Sequence, residues 1–191
     1  MKHPLFYLLL LTWLCVGSAC KNEEKVYDKE TIEAAITSLQ GIYEGELRLF
    51  EPSGFKGNIT LQSQIVTADR VLQLSVPIDS LFVFLEHVHP NLAQQLPKGT
   101  TMNISAPYAE FLQIDGRHKR FVLAPQTSTI PFLDASNEKH TLELLYSKVY
   151  GGSADGEFMV FNVLIERMVY DGKEVTPYKP IQIHFEGNKK K

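Results

Sequence analysis

Gly41-Ile42-Tyr43-Glu44-Gly45-Glu46-Leu47-Arg48-Leu49 is the stretch from which the fold is read. Tyr43, Gly45, Leu47 and Leu49 alternate with Glu44, Glu46 and Arg48. A period of two sends the first set to one face of a strand and the charges to the other. A strand with one greasy and one charged face suits an antiparallel sheet packed on a single core. Just upstream the rhythm is different. Ile32, Ala35, Ile36 and Leu39 keep the spacing of one helix face. Asp28 stands ahead of them, where its carboxylate can accept the free amides of a first turn. Gly41 stands where a helix-ending glycine belongs. The pattern predicts a helix from Lys29 to Gln40 and a strand directly after it.

Period two continues downstream. Ile59, Leu61 and Ile65 alternate with Thr60, Gln62 and Gln64, and Leu72, Leu74 and Val76 alternate with Gln73 and Ser75. With turn residues between them, these predict an antiparallel meander. From Pro77 to Pro97 the alternation breaks. Leu81, Phe84, Leu85 and Val88 fit a short helix capped by Asp79, with another turn after Pro90. Met102, Ile104 and Ala106 resume the strand pattern. Asp115-Gly116 and Asp171-Gly172 lie between strand-like runs and predict tight type I′ hairpins, since glycine accepts positive φ without steric cost. Thr127 to Leu133 reads as an edge strand interrupted by Pro131. His140 to Tyr150 and Glu157 to Tyr170 are expected as strands joined by a loop, Gly151 to Gly156. The second is apolar on both faces and is expected at the centre of the sheet, with Ile181, Ile183 and Phe185 closing it. The fold class expected is mainly β: an antiparallel meander of about nine strands curled into a barrel or sandwich, with one N-terminal helix and a short helical insertion.

Met1 to Cys20 has its own signature. Lys2 precedes an apolar run from Leu5 to Val16, too short for a membrane span of about 20 residues. A basic start, a short greasy middle and a small-residue exit mark a secretory signal. The exit, Gly17-Ser18-Ala19-Cys20, resembles the lipobox of bacterial lipoproteins, with Gly17 where Leu is commonest; looser forms are common in the Bacteroidetes. That resemblance implies removal of residues 1–19 and lipidation of Cys20. It places the chain in the cell envelope, on the outer membrane, with membrane lipid as a partner through Cys20. Cleavage at Ala19 as an ordinary signal, with Cys20 unmodified, is the other reading. Residues 20–27 would be the tether, 28–188 a single β domain and 189–191 a basic tail. Glu23 and Glu24 are similar to the surface-export signal of Bacteroidetes lipoproteins.

Leu39 to Leu47 also resembles the opening of calycin or lipocalin-like barrels, in which Gly-x-Trp begins the first strand and its ring plugs the barrel floor. Tyr43 holds the aromatic place. The late arginine usual in that family has no firm counterpart, Arg167 being the nearest, and residues 77–97 depart from a plain meander. The resemblance implies a binding cavity.

Composition narrows the function. Across 191 residues, 19 basic side chains face 22 acidic ones, so no basic excess points to nucleic acid. Cys15 and Cys20 are the only cysteines; once the signal is cut and Cys20 lipidated, no disulfide, thiol nucleophile or cysteine-bound metal remains. His87-x-His89 beside Glu86 is the one cluster of ligand types; on a strand the two rings would share a face, on a helix they would diverge. No nucleophile elbow, phosphate loop or His-Glu-x-x-His occurs. Aromatics gather in the insertion and middle strands: Phe82, Phe84, Tyr108, Phe111, Phe121 and Phe132. They fill the core, or some of them, with Tyr43, ring a cavity mouth that stacks on lipid or sugar. The expectation is a non-enzymatic binding module for a small apolar ligand or glycan, without cofactor. A structural or protein-interaction lipoprotein is the alternative, and an enzyme the third reading.

Overall fold

Asp28 caps the first helix as expected: its Oδ1 accepts the Thr31 amide at 2.7 Å, and α1 runs Lys29–Leu39. In the computed structural model, which describes residues 26–52, 58–134 and 136–191, the chain then enters β1 (Gly41–Phe50) without a loop. The signal segment, Cys20, Glu23 and Glu24 lie outside the described residues. β2 (Ile59–Ala68) and β3 (Val71–Pro77) follow. The insertion holds a 3-10 turn (Ile78–Leu81), α2 (Phe82–Leu85) and α3 (Pro90–Gln95). Then come β4 (Thr101–Asp115), β5 (His118–Leu123), β6 (Ser128–Leu133), β7 (Lys139–Tyr146), β8 (Gly151–Asp155), β9 (Phe158–Tyr170), β10 (Lys173–Glu174) and β11 (Ile181–Lys189).

The ladder closes on itself. β1 pairs with β2 on one side and β11 on the other, and β11 also pairs with β9. The result is a closed antiparallel barrel of eight strands with extra strands attached. Two walls are long strands broken in the middle. Beyond β5 the chain stays against β4, with Ala124 N–H donating to Pro107 O at 2.9 Å and Gln126 N–H to Ser105 O at 2.8 Å. β7 and β8 together line β9, bridged by Ser147 N–H to Leu164 O at 3.0 Å. Each wall therefore neighbours the next in sequence, which is why simple alternation exposes the fold. Closure also decides between barrel and sandwich.

Glycines let the walls bend. Gly45 pairs opposite Gly187, and a Cβ on Gly45 would lie 2.1 Å from Glu186 O. The expected loop from Gly151 to Gly156 is instead strand β8, followed by a turn at Gly156-Glu157. A Cβ on Gly151 would lie 2.0 Å from Phe121 O, and one on Gly152 would lie 2.2 Å from Val160 O. These two glycines serve close strand approach rather than a loop.

Other expectations shift more modestly. Asp171-Gly172 has both φ values positive, as type I′ requires, and so does Asp69-Arg70. The first hairpin turns at Gly116-Arg117, because Asp115 already pairs with His118; only Gly116 has positive φ there. Asp79 lies inside the 3-10 turn, where its carboxylate accepts the Gly99 amide instead of capping a helix. Lys189 belongs to β11 and pairs with Tyr43, so the basic tail starts one residue later.

Both barrel ends are plugged. α1 lies across one, with Ala35, Ile36 and Leu39 buried and Arg70 of the β2–β3 turn ion-paired to Glu33. At the far end of β3 the insertion buries Ile78, Leu81, Phe84, Leu85, Leu92 and Leu96. Between the plugs the interior is solid with side chains; Tyr43, Leu47, Phe161, Val163, Ile183 and Phe185 are all 0% exposed.

Candidate functional site

The wall opens between β2 and β3. β2 and β3 pair from Ala68↔Val71 to Ile65↔Leu74, and there the ladder stops. Continuing the register would match Gln64 with Ser75, but no such pair forms. On its other edge β2 stays bonded to β1 as far as Ile59. The two strands splay, and a cleft of about 780 Å³ passes into the wall between them.

Its chemistry follows from strand alternation. Leu47, Leu74 and Ile104 lie buried beneath it at inward positions, and its open apolar surface comes from half-buried Leu61 and from exposed Val66 and Pro77. Gln62, Gln64, Gln73 and Asn103 come from outward positions and supply four side-chain amides at the rim. Ser63, Ser75, Thr101 and Ser105 add hydroxyls. Among the described residues, no charged side chain lines the cleft. Asn103 Oδ1 accepts the Ser75 hydroxyl at 2.7 Å, and Gln64 donates to Glu44 at 3.3 Å. The Gln62 and Gln73 amides have no partner among the described residues, so donors and acceptors remain free for a ligand.

The aromatic residues singled out by sequence do not share one mouth. Tyr43 is buried beneath α1 and its hydroxyl donates to Leu39 O at 3.1 Å. Burial pushes its phenol up to about 12. Tyr108, Phe111 and Phe121 form one cluster nearby, with Tyr108 and Phe121 edge-on at 5.0 Å and Tyr108 and Phe111 stacked at 5.9 Å. Burial raises the Tyr108 phenol as well. Phe82 and Phe84 belong to the opposite plug. Phe84 is buried there, while Phe82 borders a shallow depression of about 220 Å³ with Glu86 and Lys98. The ligand chamber that the lipocalin resemblance implied is filled by the barrel's own side chains, and the accessible space is lateral.

His87 and His89 also part company. His87 is exposed in the turn after α2, whereas His89 Nε2 lies 2.7 Å from Pro177 O. They stand on neither a strand nor a shared helix face. Arg167 is exposed on β9. The grouping that does form among the described residues is Asp134, Glu138 and His140 at the β6–β7 turn. Asp134-x3-Glu138-x-His140 is compact enough to be seen in sequence, although nothing local points to Asp171, which reaches His140 from the β9–β10 turn.

No family model, curated protein or solved structure matches the chain. The barrel is compatible with a calycin-like fold, and function has to be argued from the geometry alone.

Proposed function

We propose that this protein is a lipid-anchored, non-enzymatic binding module of the cell envelope that holds a neutral glycan in the cleft between β2 and β3. The cleft's lining carries the reading: four amides and four hydroxyls beside apolar surface, with no charge among the described residues. Amides and hydroxyls match the paired donors and acceptors of sugar hydroxyls, and the apolar surface left open by Leu61, Val66 and Pro77 suits the apolar face of a pyranose ring. A fatty chain would leave those rim groups unpaired. Among the described residues the lining holds no acid or base that could activate its hydroxyls, which favours binding over reaction. The lipobox resemblance around Cys20 supports the anchor.

A glycan microarray probed with the full mature chain tests the cleft, followed by calorimetric titration of the strongest saccharide. Gln73→Ala should weaken that saccharide about tenfold with the fold intact, the value of one or two hydrogen bonds. Binding only of charged saccharides, or binding indifferent to Gln73, would refute the assignment. The anchor is tested separately by mass spectrometry of the mature N-terminus, where an unacylated Cys20 would remove it.

One observation favours a second reading. The edges of β2 and β3 that face each other beyond Ile65 and Leu74 lack ladder partners, as does any strand edge that accepts an added peptide strand. An interaction lipoprotein would then bind an extended segment there. Capture of a peptide from a combinatorial library, with protected β2 and β3 amides, would shift the assignment to this reading.

A further inference from the structure

Away from the cleft, the β6–β7 hairpin turns through Asp134, Glu138 and His140, whose ligand-type atoms all lie within 4.8 Å of one another. Asp134 Oδ1 accepts the backbone amides of Ser136 and Glu138, each at 2.8 Å. Its Oδ2 faces His140 Nε2 at 3.6 Å. On the other side of the ring, Nδ1 lies 2.7 Å from Asp171 Oδ2. An ionised carboxylate only accepts, so Nδ1 carries the hydrogen and donates it. Asp171 is itself fixed by the Thr141 amide at 2.8 Å. The imidazole stacks on Tyr170, ring centres 5.3 Å apart and planes 22° off parallel.

These contacts leave Nε2 without a hydrogen bond, at ion-pair distance from the Asp134 carboxylate. It is shut off from solvent and has no hydrogen-bond partner among the described residues. The 3.6 Å to Asp134 is too long for a hydrogen bond. It is close to what coordination requires: ligand atoms at about 2.0–2.2 Å from a tetrahedral zinc stand about 3.4 Å apart. An outer carboxylate on the far nitrogen is also how metal-bound imidazoles are ordinarily oriented. The gap and the outer carboxylate are separate observations, since Asp171 belongs to another turn of the chain.

We propose that Asp134, Glu138 and His140 bind one divalent cation of zinc's class, with Asp171 orienting the imidazole and water completing the shell. One imidazole with two carboxylates suits zinc and its neighbours better than calcium or magnesium, which favour all-oxygen shells. Glu138 is exposed, so its side chain can swing inward to close the spacing. The bound ion joins the β6–β7 turn to the β9–β10 turn through His140 and Asp171.

The test is calorimetric titration of the full chain, without a histidine tag and stripped by chelator, using zinc chloride at neutral pH. Thermal unfolding is followed in parallel. The expected result is one zinc per chain with micromolar or tighter affinity, and a melting temperature that rises with zinc. His140→Ala should abolish uptake. Because that ring packs between Phe132 and Tyr170, Glu138→Gln at an exposed position is the control that keeps the fold, and it should weaken uptake at least about tenfold. Asp171→Asn leaves all three ligands in place and should weaken zinc by about 10–100-fold, the signature of an orienting partner. No uptake at millimolar zinc, or uptake unchanged by both His140→Ala and Glu138→Gln, would overturn the proposal. In that case the gap is filled by a proton on Nε2.

Discussion

The two flanks of β1 are built from the same alternating pattern and end differently. Toward β11 the ladder runs unbroken from Tyr43↔Lys189 to Phe50↔Gln182. Toward β3, one strand further round, only Ile65 to Ala68 of β2 find partners. Inward residues record the difference. Ile183 and Phe185 on β11 are 0% exposed, whereas Ile59 and Leu61 on β2 are only half-buried. One wall of the barrel is structure, and the other contains space.

The largest test of that contrast is a matched pair of truncations at inward positions. Phe161→Ala on the closed flank removes a ring stacked on Phe185 at 5.3 Å and should cost about 3–5 kcal/mol. Leu61→Ala beside the cleft should cost about 1 kcal/mol, because much of its surface already meets solvent. Chemical denaturation of both variants decides the matter. Equal losses would mean that the cleft is closed in solution.

Gly45→Val asks how tightly the closed flank is drawn. The new Cβ would meet Glu186 O and Gly187 Cα at 2.1 and 2.4 Å, both backbone atoms that cannot rotate away. Destabilisation of about 3 kcal/mol is expected by equilibrium unfolding. Gln62→Val, on the open flank, should stay within about 0.5 kcal/mol. Hydrogen exchange then sharpens the comparison amide by amide. Between Thr60 and Gln64 the amides directed at β1 should be protected and the alternate ones should exchange quickly.

How much of this could be read from the sequence differs by flank for the same reason. α1 was visible because its cap and its apolar stripe are local. β1, β3 and the first half of β4 were visible because alternation is local as well. Asp171-Gly172 announced its own turn. What stayed hidden depends on partners far along the chain. Gly151-Gly152 looks like a loop until Phe121 and Val160 are seen pressing against it. The end of the β2–β3 register leaves no trace in the alternation of Leu61 and Ser63, so the cleft could not be anticipated. The aromatic residues were recognisable as a set, but only the fold divides them between two plugs. His140 gave no hint that Asp171 would reach it.

High pH attacks the barrel through its buried tyrosines. Burial raises the Tyr43 and Tyr146 phenols from 10.0 to about 12, and raises Tyr108 and Tyr178 as well. A group whose folded pKa is raised contributes stability that is intact below its unfolded pKa and is lost as pH rises toward the folded one. The barrel should therefore be stable below pH 10 and unfold cooperatively as pH approaches 12, with the tyrosinate absorbance rising in the same transition. Tyr43→Phe forfeits the bond to Leu39 O, worth about 1 kcal/mol at neutral pH, yet should shift the alkaline midpoint upward.

The last effect concerns the plug that sets where β1 begins. Asp28→Ala removes the carboxylate that accepts the Thr31 amide and should cost about 1 kcal/mol. The backbone amide of Thr31 holds the Asp28 carboxyl below its ordinary 3.8. A depressed carboxyl contributes stability above its unfolded pKa and loses it as pH falls through the folded one, so wild type and Asp28→Ala should converge in acid. If they stay apart there, the loss is not the cap's charge but the seating of α1 on Tyr43 and Thr67, both of which bond to Leu39 O at the helix end. The closed flank would then owe its register to the plug, and a fraying α1 should open the β1–β11 seam before the cleft widens.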